Sequence, residues 1–148
     1  MLRKILAAIL GYVVIVVIAL AGIGVAWMIL GGEGAFRGEG PEPSTPWIAL
    51  NVIVGFLAAL VAGWTARRVG RSSLSVNLLI GIVLVLGLLL AAVAQWGPDD
   101  RPPVGKPVAE MSFTEAGEHA RQPDWYNWVI PLVGAAGVCL GGRRRDGG

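Results

Sequence analysis

The chain has 148 residues, 55% of them hydrophobic and 15% charged, with a net charge of +2 and a mean hydropathy of +0.67. That balance excludes an ordinary soluble domain, which needs more polar surface, and gives no basis for a nucleic-acid partner. Every Lys, Arg, Asp and Glu lies outside four apolar blocks at 5–30, 47–66, 74–94 and 126–142.

A helix needs roughly 20 apolar residues to cross a hydrocarbon core about 30 Å thick; three blocks reach that length and the last falls a little short. A membrane-spanning β-barrel would show alternating strands, which these continuous runs lack. The expected fold is therefore all-α: one integral-membrane domain of four transmembrane helices in an antiparallel up-down bundle.

The first block follows Arg3 and Lys4. A basic lead suggests a signal peptide, but the apolar run is about twice the usual h-region of roughly 7–15 residues, and the small pair Ala19 and Ala21 lies in its middle. An uncleaved first helix is expected. The linker "GGEGAFRGEGPEPSTP", 31–46, reads as flexible, because its glycines and prolines disfavour regular structure.

The second block carries Gly55, Ala59 and Gly63 at a spacing of four, with Ala58, Ala62 and Ala66 on the adjoining stripe. Small residues let helix backbones approach closely in lipid, where burial of apolar surface gives helices no reason to associate. Helix four repeats the pattern with Gly137 and Gly141, so these two helices are expected to pack tightly; the same stripes would also serve as the seam of a homo-oligomer. Asn51 and Asn77 are the clearest polar residues inside the blocks, read as hydrogen-bonded bridges between helices or as binding groups.

After the third block, 97–107 reads as extended, and "MSFTEAGEHARQ" contains Ser112 and Glu115 in the spacing of a capping box. A short amphipathic helix is expected at about 112–121, lying on the membrane surface or capping the bundle. The whole 97–125 loop is the first candidate for a partner-binding surface, against the plainer reading of a solvated connector.

The stretch "RQPDWYNWVIP" then places Trp125, Tyr126 and Trp128 where the fourth block begins, with Pro123 and Asp124 as a helix start. Aromatic rings gather at head-group depth, and all six Trp fall near block ends, so a membrane boundary explains these rings; a ligand platform is the alternative. Pro131 removes a backbone hydrogen bond and is expected to kink the helix, for packing or for a substrate path. Cys139 is expected to be buried.

Charge sets the orientation. Arg3 and Lys4, then Arg67, Arg68 and Arg71, then Arg143, Arg144 and Arg145 all fall on one side of a four-pass chain, whereas the opposite loops are net acidic. Short basic loops stay in the cytoplasm, so both termini are expected there, in a cell inner membrane.

No catalytic, cofactor or metal site is expected. A lone Cys139 gives no redox pair, and the single His119, with Glu115 and Glu118 near it, is a weak basis for a metal. No ionisable residue lies inside a span. In length and helix count the chain resembles small four-helix multidrug exporters, but those use a glutamate in the first helix, and 5–30 has none.

With "AGWTARRVGR" closing helix two and "GAAGVCLGGRRR" closing helix four, the layout resembles small bacterial four-helix inner-membrane proteins of unassigned activity. The expectation is a non-enzymatic membrane protein, structural or accessory, whose partners are the bilayer and a membrane protein or a second copy. The alternative is a carrier or binding protein for an apolar or amphipathic small molecule or lipid, using Asn51, Pro131 and the aromatic rings.

Overall fold

The computed structural model describes residues 1–38, 40–97, 107 and 110–143. Among them it is all-α, with five helices: α1 (Leu2–Ala35), α2 (Thr45–Gly70), α3 (Ser73–Trp96), α4 (Phe113–His119) and α5 (Asp124–Gly142). Three of them, α1, α2 and α3, are long and apolar enough to cross a membrane. Most of the stretch expected to be extended, 98–106, lies outside the described residues, as do Arg144 and Arg145.

Each boundary has a local cause. Ser44 starts α2 by accepting from the Trp47 amide at 3.2 Å, with Pro46 in the first turn, where the missing N–H costs nothing. Ser72 starts α3 in the same way, accepting from the Leu74 amide. Between them Arg71 turns the chain with φ 50°, so α2 and α3 form a tight hairpin. α1 runs past its apolar block and is interrupted at Gly31, whose φ of 62° is the left-handed region that glycine enters without penalty. α5 runs unbroken through Pro131, so the non-helical residue inside a long helix is Gly31.

The interior is made of small residues. Ala8 of α1, Ala59, Ala62 and Ala66 of α2, Val76 and Leu79 of α3 and Val138 of α5 form one buried cluster. Large apolar side chains point outward instead: Val17, Leu20, Leu89 and Leu90 are all more than half exposed. A water-soluble fold buries its large apolar groups; this inversion suits a chain whose surroundings are themselves apolar.

Contacts follow the small residues. Gly22 faces Val54 while Gly11 faces Ala62 and Ala66, so α1 and α2 pass each other in opposite senses. Gly63 lies against the Val138 backbone, Gly137 against Ala59 and Gly141 against the Leu60 carbonyl, which brings α2 and α5 into backbone contact. Gly87, Gly134 and Gly142 meet Pro131, Val83 and Val76, joining α5 to α3. Gly55 behaves differently from its stripe. No atom lies within 4 Å of where its side chain would begin, so it is not a packing residue. Cys139 is exposed rather than buried, because the contact face of α5 is the one bearing Gly137 and Val138.

The two loops at the Trp-rich end are built together. The 31–46 segment, expected to be flexible, is held by Arg37 N–H to the Glu42 carbonyl at 2.8 Å and by Ser44 N–H to the Ala35 carbonyl at 2.8 Å. The Ser44 hydroxyl also donates to the Gly34 carbonyl. Across from it, α4 carries the capping box: the Ser112 amide donates to Glu115 Oε2 at 2.8 Å, and the Glu115 amide donates to Ser112 Oγ at 3.4 Å. Ala35, Phe36, Met111 and Ala116 bury one another over Trp27 and Trp47, forming a second small core that caps this end. The Arg121 amide closes it by donating to the Pro41 carbonyl at 3.0 Å.

Candidate functional site

Below the cap, α1, α2, α3 and α5 enclose a cavity of about 240 Å³. Each helix contributes one face: Tyr12, Ile15, Ala19 and Ile23 from α1; Asn51, Val52, Gly55 and Ala59 from α2; Val83, Leu86, Gly87 and Leu90 from α3; Tyr126, Ile130, Pro131, Val133 and Gly134 from α5. Spacings of three and four put each set along one side of its helix. The void exists because its walls are small where the helices face one another: Gly55 leaves open space, and Ala19 and Ala59 fill little. Pro131 reaches Gly87, its ring standing where a larger side chain would project.

The walls are apolar and carry no charged side chain. The polar groups on them are Tyr12, Asn51 and Tyr126. Asn51 donates one amide N–H to the Trp47 carbonyl of its own helix at 2.8 Å, so it does not bridge helices, and its side chain borders the cavity. The remaining N–H and the amide oxygen give that wall both donor and acceptor capacity. Leu86 and Leu90 line the cavity and are also exposed, which puts an opening beside α3, on the side where lipid tails would lie. A largely apolar cavity of this size has room for an apolar molecule, and a ligand with one polar end would find Asn51 and the tyrosines.

The candidate residues from the sequence divide. Asn51, Gly55, Ala59 and Pro131 come together at the cavity. Asn77 does not: it is exposed on α3, facing away from the bundle. Gly63, Gly137 and Gly141 make the α2–α5 contact. The rings of "WYNW" divide into a contacting pair, Trp125 and Tyr126, and a third ring, Trp128, that packs elsewhere. Trp125, 54% exposed, packs edge-on to Tyr126 at 6.0 Å, Tyr126 also lines the cavity, and Trp128 packs edge-on to Trp96 at 5.9 Å. They form no single platform. Trp27 sits instead at the centre of a cluster with Phe36, Trp47 and Phe113, at centroid distances of 6.4, 5.9 and 5.7 Å.

Of the two tyrosines, Tyr126 belongs to the aromatic rings that the carrier reading of the sequence uses, whereas nothing in that reading singles out Tyr12; Gly55 and Ala59 read there as packing residues, not as a cavity wall. His119 points its Nδ1 at the Glu115 carbonyl, 2.8 Å away, within its own short helix. At the opposite end, Arg3 Nε donates to the Val69 carbonyl at 3.0 Å and Arg68 lies 5.4 Å from the centre of the Trp64 ring, so some of the basic residues also tie helix ends together. No family model matches the chain, and neither curated proteins nor solved structures give a match.

Proposed function

We propose that this is a non-enzymatic multi-pass protein of a bacterial inner membrane that binds an apolar or amphipathic small molecule inside its bundle. In this reading α1, α2, α3 and α5 cross the bilayer as an antiparallel four-helix bundle with both termini cytoplasmic. The cavity supports it: all four helices contribute, its walls bear no charge, and it opens beside exposed leucines on α3. A molecule dissolved in the bilayer would enter from the side, bury its apolar part, and turn any polar end toward Asn51 and Tyr126.

The test is to purify the full chain from its native membrane into nanodiscs and identify the small molecules released from it by mass spectrometry. Wild type should carry a defined apolar compound in stoichiometric amount. Gly55→Leu, which grows into open space, should fill the cavity and release that compound while leaving the fold intact. Wild type emerging without any bound compound, or Gly55→Leu retaining it, would overturn the reading.

A second reading, an accessory subunit, draws on Asn77. An exposed amide on an apolar helix gains from a hydrogen-bonding partner helix, in another protein or a second copy. Co-purification of a stoichiometric protein, lost in Asn77→Leu, would favour it.

A further inference from the structure

Among the described residues, the inner cavity has polar side chains at its two ends and none between them. We infer that its occupant is a single-chain lipid whose uncharged head group both donates and accepts hydrogen bonds, as in a fatty alcohol, a protonated fatty acid or a fatty amide. The inference rests on the reading of this cavity as a ligand site and adds the class of ligand.

Helix register places the polar groups. α2 and α5 run in the same direction, both antiparallel to α3, and Gly63 of α2 lies against the Val138 backbone of α5. Asn51 and Tyr126 each stand twelve residues before that contact, so they share one level at the Trp-rich end. Tyr12 follows Gly11, which faces Ala62 and Ala66, and therefore stands at the level of Gly63, about 18 Å further along the bundle at 1.5 Å per residue. Ile15, Ala19, Gly55 and Ala59 lie between the two levels and leave the middle apolar.

The polar groups have hydrogen-bonding capacity to spare. Asn51 gives one N–H to the Trp47 carbonyl at 2.8 Å, which fixes the amide and leaves its second N–H and Oδ1. Among the described residues nothing bonds to either of these or to the hydroxyl of Tyr12 or Tyr126. A polar group that faces hydrocarbon without a partner costs free energy. A head group that donates to Asn51 Oδ1 and accepts from the amide or from the Tyr126 hydroxyl removes that cost at the Trp-rich end. An ester, ketone or quinone only accepts, and a hydrocarbon does neither.

Size and charge set the rest. A cavity of about 150 Å³ holds one benzene ring, so about 240 Å³ takes a slender chain but not the two chains and glycerol of a phospholipid. The distance between its polar ends favours a chain over a compact ring system. Among the described residues no charged side chain lines the cavity, and no Lys, Arg, Asp or Glu falls within the four apolar blocks, so an ionised head would be buried without a counter-charge.

The experiment uses the full chain in phosphatidylcholine nanodiscs with a lauryl alcohol that carries a diazirine at the far end of its chain, photolysed and mapped by mass spectrometry. Label should fall around Tyr12, Ile15 and Ala59 and should be lost in Gly55→Leu. Unmodified lauryl alcohol and lauramide should compete for that labelling. Methyl laurate, which cannot donate, should need about fivefold more, and lauryltrimethylammonium at the concentration of the alcohol should not compete. Asn51→Leu combined with Tyr126→Phe should erase the difference between alcohol and ester. Equal competition by alcohol and ester in wild type, competition by the ammonium compound, or a preference that survives in the double variant would overturn the head-group assignment with the cavity still occupied. Label at Leu90 and Tyr126 instead would reverse the chain and overturn it as well. Label that avoids the lining residues, or that persists in Gly55→Leu, would mean that no ligand sits in the cavity, and the proposed function would fall together with the inference.

Discussion

A methyl group added at Gly55 and one added at Gly63 meet different surroundings, although the two glycines lie two turns apart on α2. At Gly55 nothing is within reach; at Gly63 the new atom runs into the Val138 backbone, which has no rotamer by which to move aside. The same substitution should therefore have opposite signs. Gly55→Ala gains helix propensity, up to about 1 kcal/mol, without a clash, whereas Gly63→Ala must push α5 away and should cost about 1–3 kcal/mol. Thermal unfolding of both variants in one detergent measures the pair, and a destabilised Gly55→Ala would mean that the void is not there. Tyr126→Phe asks a different question of the cavity: it removes a hydroxyl and keeps the ring. If the bound molecule is amphipathic and uses that hydroxyl, affinity should fall about fivefold, the worth of about 1 kcal/mol for one hydrogen bond; a purely apolar molecule should bind as before. Displacement of a radiolabelled or fluorescent form of the released compound would read the difference.

At the scale of elements, the cap depends on a short helix that has little to hold it. α4 has seven residues, too few to be stable alone, and relies on its capping box and on Met111 and Ala116 packing over Phe36. Ser112→Ala should cost about 1 kcal/mol, felt locally rather than globally. Hydrogen exchange should accelerate across 110–121 and in the 36–44 segment that α4 covers, while α2 and α3 stay protected; uniform acceleration would mean that the cap and bundle unfold as one. This element also illustrates what a sequence discloses. The capping box was legible because Ser112 and Glu115 are neighbours in the chain. The order in 31–46 was not, because Phe36 is fixed by Met111 and Ala116, far along the sequence, and the local glycines and prolines suggest the opposite. Helix rotation was hidden for another reason: α1, α3 and α5 are apolar nearly all round, so no polar face marks the outside, and Cys139 and Asn77 gave no sign that they face outward. Small-residue spacing located the α2–α5 contact at Gly63, Gly137 and Gly141, yet could not separate Gly55, which has the same spacing and borders a void.

Across the whole molecule, the number of spans decides where the chain ends lie, and α5 is the element in question. With 19 residues it is about 28 Å long, close to a hydrocarbon thickness of about 30 Å. It follows α3 closely, from Pro131 against Gly87 to Gly142 against Val76, near the start of α3. If α3 crosses the bilayer, α5 beside it occupies the same depth, and Arg143 finishes at the end where Arg3 reaches Val69 and Arg71 turns the chain. Four spans then put Arg3, Arg71 and Arg143 on one face of the membrane and α4 on the other, the arrangement that the basic residues favour by the positive-inside rule. In a Cys139→Ser background, Glu118→Cys should react with a membrane-impermeant maleimide added outside intact cells or spheroplasts. Lys4→Cys and Arg143→Cys should react only after the membrane is permeabilised. Labelling of Arg143→Cys from outside, with Lys4→Cys protected, would leave α5 short of crossing and make three spans the correct count. The cavity would then lose one of its four membrane-embedded walls, and lateral entry of a lipid-soluble ligand would lose its physical basis with it.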